Sequence, residues 1–209
     1  MLLTDIEARV LGSLIEKDMA TPEYYPLSLN ALVNACNQKS NRDPLVNYDE
    51  DTVVDAVESL RDKKLTIVVT GGDNRVPKYR HRISETLNLG NRELAVLGVL
   101  LLRGPQTTGE LKQRTERLHA FDDLESVESC LSRLSEWKPE ALAVKLSRKA
   151  GEREARWAHL MFGEVPVPQT HAPAEAEPRG PGVLERIVRL EQEVEDLRRQ
   201  FAEFRRQFE

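Results

Sequence analysis

A chain of 209 residues that is 40% hydrophobic and 31% charged is long enough for one or two packed domains. Its net charge of −5 excludes a chain that is strongly basic throughout, as many dedicated nucleic-acid binders are. The N-terminus has no basic segment before a long apolar run, and no stretch reaches the roughly 18 apolar residues of a membrane span. We therefore expect a cytoplasmic, globular protein without a membrane segment.

The chain contains an internal repeat. The stretch "EARVLGSLI" begins at Glu7 and "ELAVLGVLL" begins at Glu93, so Glu, Val, Leu and Gly recur with a shift of 86 residues (93 minus 7). A later echo links "KYRH" at 78–81 with "RWAH" at 156–159. Self-similarity of this kind predicts two copies of one structural module. We place module one at residues 1–84 and module two at residues 85–163.

Module one predicts three helices followed by a hairpin. Thr4 with Glu7 three residues later marks a capping box for the first helix, Ser28 can cap a second, and Asp49 or Asp51 can cap a third. The apolar period then drops to two on either side of the turn "GGDN", which predicts two strands. Three helices closed by a two-stranded hairpin is the layout of a winged helix, a helix-turn-helix variant whose hairpin is the wing.

Module two predicts the same order. A first helix starts at Asn91, a second at Thr107 or Thr108, and a third at Asp122 or Asp123. Alternating apolar residues then flank the turn "RKAGER". The predicted fold class is therefore mainly helical α+β with small hairpins, arranged as two tandem winged-helix modules.

The composition changes after module two. Residues 164–182 hold five of the eleven prolines and few large apolar residues, which predicts a disordered linker. Residues 183–209 then show apolar residues at alternating spacings of three and four, typical of the a and d positions of a coiled coil. We expect a homo-oligomer, although docking of this helix onto a module remains open. The apolar seam consists of Ile187, Leu190, Val194, Leu197, Phe201, Phe204 and Phe208.

Three stretches carry a resemblance to a known family. They are "LTDIEARVLGSLIEKDMATPEYYPLSLNALVNACNQKSNRDP", "VPKYRHRI" and "NRELAVLGVLLLRGPQTTGELKQRT". Together they resemble the YceH-like family of bacterial proteins, over roughly residues 2–163. The resemblance implies tandem winged-helix modules, and it brings no established function and no catalytic residues.

The sequence lacks the motifs of familiar catalytic sites. It contains no Walker-type loop, dinucleotide fingerprint or nucleophile elbow, and its histidines lack the paired spacing of a metal site. Cys36 and Cys130 stand singly on apolar helix faces and are predicted to be small core residues. Tyr79 and His81 share a strand face with Ile83, which favours packing against the third helix over catalysis. We predict a protein that is not an enzyme and uses no cofactor or metal ion.

Cations are concentrated on the predicted wings. Lys78, Arg80 and Arg82 share one strand face, with Arg75 at the turn. Two interpretations remain open for them: contact with a phosphate backbone, or solvated strand edges that discourage unwanted strand pairing. In module two the wing and the second helix supply further cations, which are Lys112, Arg114, Arg117, Lys145, Arg148, Lys149, Arg153 and Arg156.

Six consecutive polar residues, 37–42, follow the second helix of module one, and we call this run the elbow. In a helix-turn-helix layout it lies close to where such modules approach DNA. Its candidate contact residues, for phosphates, a base edge or a protein backbone, are Asn37, Gln38, Lys39, Ser40, Asn41 and Arg42. The alternative is a helix C-cap by Asn37 followed by a solvated loop.

The charge pattern leaves two function classes open. Residues 1–83 carry 11 basic and 13 acidic side chains and residues 91–163 carry 12 and 11, and the third helix of each module is acidic, so it would meet phosphates with like charge. The class we place first is a regulator associated with double-stranded DNA, in which the coiled coil doubles the modules for symmetric half-sites. The second is an interaction scaffold, similar to the tandem winged-helix subunits of bacterial chromosome condensation complexes, whose acidic helices bind protein partners.

Overall fold

A computed structural model describes residues 2–71, 74–148 and 151–162, together with Gln192 and Arg199. The chain divides into two compact units, Met1–Pro168 and Gln169–Glu209, and all the elements named below belong to the first. Within the described residues the fold is mixed α+β, mainly helical, with seven α-helices and two small antiparallel sheets. The predicted linker at 164–182 and the apolar seam predicted within 183–209 lie outside the described residues.

The first half of this unit contains three α-helices, one 3₁₀ turn and a three-stranded sheet. In chain order the elements are α1 (Asp5–Ala20), a 3₁₀ turn (Pro22–Tyr24), β1 (Leu27–Ser28), α2 (Leu29–Cys36), α3 (Glu50–Asp62), β2 (Thr66–Gly71) and β3 (Asn74–His81). The strand order is β1-β3-β2, with antiparallel pairing on both sides of β3. The strand that carries Lys78 and Arg80 is therefore the centre of the sheet.

The second half repeats this order after a short helix that the sequence pattern did not predict. Gln106, just before the second helix, bridges Trp157, much as Leu27 pairs with Tyr79 in the first half. The predicted order of three helices and a hairpin is thus confirmed in each half. The elements are α4 (Ile83–Leu87), α5 (Asn91–Arg103), α6 (Thr108–Thr115), α7 (Leu124–Ser135), β4 (Ala143–Lys145) and β5 (Trp157–His159).

Side-chain caps set the helix starts. The Thr4 hydroxyl accepts from Glu7 N while the Glu7 carboxylate accepts from Thr4 N, which completes the predicted capping box of α1. Thr107 and Glu110 form the same box at α6. The remaining side-chain caps are Ser28 for α2, Asp49 for α3 and Asp123 for α7.

Helices α1 and α5 pack against each other and join the two halves into one core. Gly12 and Gly98, which occupy equivalent positions in the repeat, lie at this crossing. A Cβ added at Gly12 would lie 2.9 Å from Leu102 Cγ, and one added at Gly98 would lie 3.0 Å from Ile15 Cγ2. The repeated glycine is therefore explained by close helix packing, because any larger side chain would push the helices apart.

The repeated glutamates, Glu7 and Glu93, are buried. Burial raises the pKa of Glu7, but hydrogen bonds from Lys63, Ser59 and Thr4 outweigh it and leave that pKa below its usual value. Glu93 accepts from Gly90 N at 3.1 Å. Each carboxylate thus serves as a helix cap, which explains why the repeat keeps it.

The predicted core residues are in the core. Cys36 and Cys130 are free and buried, and burial raises their pKa values to about 11 and about 12. His81 is also buried, which confirms that its side chain packs in the interior. It contacts α1, however, and not the third helix as predicted. Its Nε2 lies 3.1 Å from Asp18 Oδ2 on α1, because β2 rather than β3 packs against α3.

Candidate functional site

Two buried arginines hold the elbow. Arg42 donates to the Ala35 carbonyl from Nη2 at 2.8 Å and from Nε at 3.1 Å, and Arg9 Nη1 donates to the Cys36 carbonyl at 3.1 Å. Both carbonyls belong to the last turn of α2, where no backbone N–H within the helix remains to bond them. A positive charge at a helix C-terminus is also favoured by the helix dipole. The two arginines therefore cap α2.

Arg42 uses its remaining donors inside the protein as well. Nη1 and Nη2 donate to the Glu16 carboxylate at 3.1 and 2.6 Å, and Nη2 also donates to Gln38 Oε1 at 3.1 Å. The Arg42 side chain is 0% exposed. The expectation that Arg42 contacts an external phosphate is therefore corrected: this guanidinium is a buried structural group. Arginine is rarely buried unless it is paired, so its position in a polar run suggested exposure.

Asn37 is the C-cap of α2, as the alternative interpretation predicted. Its Nδ2 donates to the Tyr48 carbonyl and its Oδ1 accepts from Tyr48 N, both at 2.8 Å. The amide is thus occupied by the loop that leads to α3, which leaves it unsuited to a base edge. Lys39, Ser40 and Asn41 are exposed, so a contact role at the elbow remains a prediction for these three residues.

In the first hairpin, Lys78 is not an edge residue, whereas Arg80 pairs with β2 alone and Arg82 follows the end of β3. Lys78 pairs with Ser28 on one side and with Val69 on the other, which removes strand-edge protection as an explanation at this position. Arg80 Nη1 and Arg82 Nε donate to the two oxygens of Glu85 at 3.0 and 2.9 Å.

Hydrogen bonds from Arg82 and Arg80 lower the pKa of the Glu85 carboxyl, so Glu85 carries a negative charge beside both arginines. This carboxylate partly neutralises the first hairpin. The side chain of Arg75 lies outside the described residues.

The arginines at the tip of the second hairpin form fewer ion pairs with carboxylates than those of the first hairpin do. Arg148 and Arg153 are exposed, and they line a shallow cleft of about 370 Å³ with the starts of α6 and α7. Neither forms an ion pair with a described residue. Lys145, in the same cleft, lies 3.9 Å from Glu128 and sits over the Trp157 ring at 5.5 Å. Lys149 lies outside the described residues.

The third helix of each half exposes carboxylates, as predicted. On α3 the apolar side is buried and the acids face outward. The exposed acids are Glu50, Asp51, Asp55, Glu58 and Asp62 on α3, and Glu125 and Glu128 on α7.

A basic cleft of about 520 Å³ lies where the two halves meet. It is bounded by the ends of α1, α5 and α6 and by the elbow, and it gathers four of the predicted contact residues, Gln38, Ser40, Asn41 and Arg114, along with Arg117. Lys112 is not among its lining residues. Two further cations, Lys17 and Arg103, were absent from the predicted sites.

The repeat contains a signal for these two missed residues. Lys17 and Arg103 are 86 positions apart, the same shift that relates Glu7 to Glu93. Each is the basic residue in the last turn of its helix, α1 or α5. Because α1 and α5 pack together, the repeat places both cations in one cleft.

Among the described residues, no group of three or more His, Cys, Asp or Glu is arranged to hold a metal ion. None of the helices in the described ranges has the length and apolar character that crossing a bilayer requires.

Comparison with known proteins places this chain in a bacterial family. The family model described as "Protein of unknown function, DUF480" matches residues 3–152. A "UPF0502 protein" of Solibacter usitatus is 55% identical over 203 residues, which cover 97% of this chain and 96% of the relative. UPF0502 proteins of Opitutus terrae (50% identity; 94% and 84% covered) and Pelobacter propionicus (52%; 99% and 94%) are also similar. The chain therefore belongs to the DUF480/UPF0502 family of uncharacterised bacterial proteins.

Proposed function

We propose that this protein is a non-catalytic regulatory protein associated with double-stranded DNA, built from two tandem winged-helix modules as the YceH-like resemblance implies. The order of three helices and a hairpin in each half supports the modules. In such a module the hairpin and the third helix face the duplex, and hairpin cations contact the phosphate backbone.

One observation carries the DNA proposal: exposed Arg148 and Arg153 lie beside the start of α7 without an ion pair to any described residue. Arginines in this state can bind phosphates without first breaking a contact within the protein. The first hairpin differs, since Glu85 already binds Arg80 and Arg82. We therefore assign the main phosphate contacts to module two, with Lys78, Arg80 and Arg82 in a weaker role.

The acidic outer faces of α3 and α7 argue for backbone contact without insertion of a helix into the major groove. Carboxylates such as Asp55 and Glu58 would be repelled by phosphates on entering the groove. Binding would then depend strongly on salt and weakly on base sequence. A C-terminal coiled coil would join two chains, so that two sets of modules bind the same duplex and the affinity rises by multivalency.

The test measures binding of the full-length protein to a mixed-sequence DNA duplex. Fluorescence anisotropy of the labelled duplex gives the affinity at several salt concentrations. Arg148→Ala with Arg153→Ala should weaken binding to all duplexes alike and reduce the slope of log affinity against log salt by about 2. Lys78→Ala with Arg80→Ala and Arg82→Ala should have a smaller effect, because Arg80 and Arg82 share the negative charge of Glu85, which offsets one of their two positive charges.

A matched control is Arg61→Ala with Arg92→Ala, which removes two exposed arginines that do not line the cleft of Arg148 and Arg153. Affinity should change little in this control. Unchanged affinity in the Arg148 and Arg153 variant at low salt would contradict the DNA role, and so would an equal loss in the control.

A second candidate function is an interaction scaffold, and the acidic face of α3 favours it. Asp55, Glu58 and Asp62 form an exposed charged surface beside a buried apolar face. A basic protein partner would complement it. If partners recovered from cell extract persist after nuclease treatment and are lost with Asp55→Asn, Glu58→Gln and Asp62→Asn together, the scaffold is correct and the DNA proposal is not.

A further inference from the structure

The basic cleft between the two halves has properties of a ligand site that the DNA proposal does not use. Four cationic side chains line it, and the one carboxylate among its lining residues is Glu16. Glu16 is already bound by both terminal nitrogens of Arg42. The charge of Glu16 is therefore compensated from within the protein, and the cleft keeps an excess of positive charge. The four cations are Lys17, Arg103, Arg114 and Arg117.

Arg103 is held in a position that favours an anion. Its Nη1 donates to Asn41 Oδ1 at 3.1 Å, while its Nε is buried and has no hydrogen-bond partner among the described residues. Arg103 forms no ion pair with a described residue, so its guanidinium group can pair with an anion in the cleft. Burial lowers the pKa of Arg103 and the charge of Arg114 lowers it further, while the carboxylates of Asp43 and Glu110 act in the opposite direction, so the Arg103 and Arg114 guanidinium groups are repelling neighbours with acids close by.

Of the four cations in the cleft, Arg114 and Arg117 have weak ion pairs or none with the described residues. Arg114 Nη2 reaches Glu110 Oε1 only at 3.4 Å, and Glu110 is also bound by Arg156 at 2.8 Å. Arg117 is exposed and forms no ion pair with a described residue. Repulsion among several cations in one cleft is relieved by a multivalent anion better than by a single carboxylate.

The rest of the lining indicates an organic body attached to that anion. Val99, Leu102 and Leu118 give the cleft an apolar part, while Gln38 and Asn41 supply amide groups. A volume of about 520 Å³ lies within the ordinary range for small-molecule sites. Arginine forks match phosphate oxygens in geometry.

We propose that the cleft binds a small phosphorylated organic molecule, with its phosphate groups on Arg103, Arg114 and Arg117 and its apolar part against Leu102 and Leu118. The site is built jointly by the elbow and α1 of the first half and by α5 and α6 of the second. A ligand there contacts both halves at once and stabilises their packed arrangement by mass action.

The probes are inorganic pyrophosphate, inorganic phosphate and phenyl phosphate, titrated calorimetrically into full-length protein at low ionic strength. Pyrophosphate should bind, and phenyl phosphate should bind more tightly than inorganic phosphate because its ring covers the apolar part. Arg103→Gln and Arg117→Gln should each weaken pyrophosphate about tenfold, as expected for the loss of a charged hydrogen bond. Arg117 is exposed, so its replacement leaves folding intact.

The matched control is Arg92→Gln, which removes an exposed arginine from the other end of α5. Pyrophosphate affinity should stay the same in this variant. Absence of pyrophosphate binding, or equal weakening in Arg92→Gln, would overturn the site, and phenyl phosphate binding no better than phosphate would overturn the organic ligand. If Arg103→Gln and Arg117→Gln impair duplex binding while pyrophosphate fails to bind, the cleft belongs to a DNA surface. None of the small-anion titrations depends on the hairpin arginines, so their failure and that of the DNA proposal are distinguishable.

Discussion

Arg42 Nη2 lies 2.6 Å from Glu16 Oε2, and this ion pair ties the elbow to α1 across 26 residues of chain. The arginine is completely buried, while the glutamate side chain is 14% exposed at the rim of the basic cleft. The pair therefore has two effects. It fixes the loop that leaves α2, and it neutralises the carboxylate that would otherwise repel an anion in the cleft.

Arg42→Ala should strongly destabilise the protein. The change leaves the Ala35 carbonyl without its Arg42 donor and leaves the Glu16 carboxylate with only Lys17, at 3.9 Å, and breaking a buried ion pair costs about 3–5 kcal/mol. Urea unfolding monitored by circular dichroism measures the loss. Lys39→Ala, in the same elbow but exposed, should change the free energy of unfolding by less than about 0.5 kcal/mol. Similar values for the two variants would contradict the structural role of Arg42.

Gly12→Val should weaken the packing of α1 against α5. A Cβ at this position already lies within 3.1 Å of three atoms of Leu101 and Leu102, and overpacking of this kind costs about 1–3 kcal/mol. Gly109→Ala in α6 is the control, because the nearest atom to its Cβ is 4.0 Å away. The alanine should stabilise α6 by about 0.5–1 kcal/mol through its higher helix propensity. Thermal unfolding should therefore shift in opposite directions in the two variants.

His159 should make the protein less stable in mild acid. Burial lowers its pKa to about 4, with Asp5 acting weakly in the other direction, and its Nδ1 accepts from Met161 N at 3.2 Å, which requires the neutral ring. In the unfolded chain the pKa is about 6.5, so between these values only the unfolded state binds the proton. Stability is therefore fully present above about pH 6.5 and falls as the pH drops towards 4, by about 3 kcal/mol.

The measurement is the free energy of unfolding at pH 7.5 and pH 5 for the wild type and for His159→Gln. Glutamine does not titrate, so the variant should lose less stability between the two pH values. An identical loss in both proteins would show that other groups cause the acid sensitivity.

Both cysteines should be unreactive in the native state. Burial raises the pKa of Cys36 to about 11 and that of Cys130 to about 12, and the thiolate is the reactive form. An aromatic disulfide reagent at pH 8 should therefore label neither thiol until denaturant is added, after which two thiols per chain should react. Rapid labelling of the folded protein would contradict the burial of these residues.

Val194→Asp should lower the oligomeric state, if the apolar seam of residues 187–208 forms a coiled coil. A charge in the seam costs several kcal/mol unless the helices separate. Sedimentation of full-length protein measures the change, with truncation after Gly163 as the comparison. A wild type that sediments as a monomer at micromolar concentration would contradict self-association.

Much of the local structure follows from sequence patterns that act over short distances. The capping boxes at Thr4 and Thr107 and the order of helices and strands each depend on residues a few positions apart, so periodicity and spacing predict them. The repeat predicted two similar halves for the same reason. It also contained the equivalence of Lys17 and Arg103, although one sequence could not reveal that these cations would meet.

The tertiary structure decided which polar residues are accessible. Arg42 and Lys39 lie in the same run of six polar residues, yet one is buried beneath Glu16 and the other is exposed, because the path of the loop after α2 depends on contacts with α1. In the same way, the basic cleft forms where the ends of α1 and α5 come together, and these two helices pack closely at Gly12 and Gly98. Sequence patterns determine what each segment forms, whereas the contacts between segments distant in the chain determine which side chains share a site.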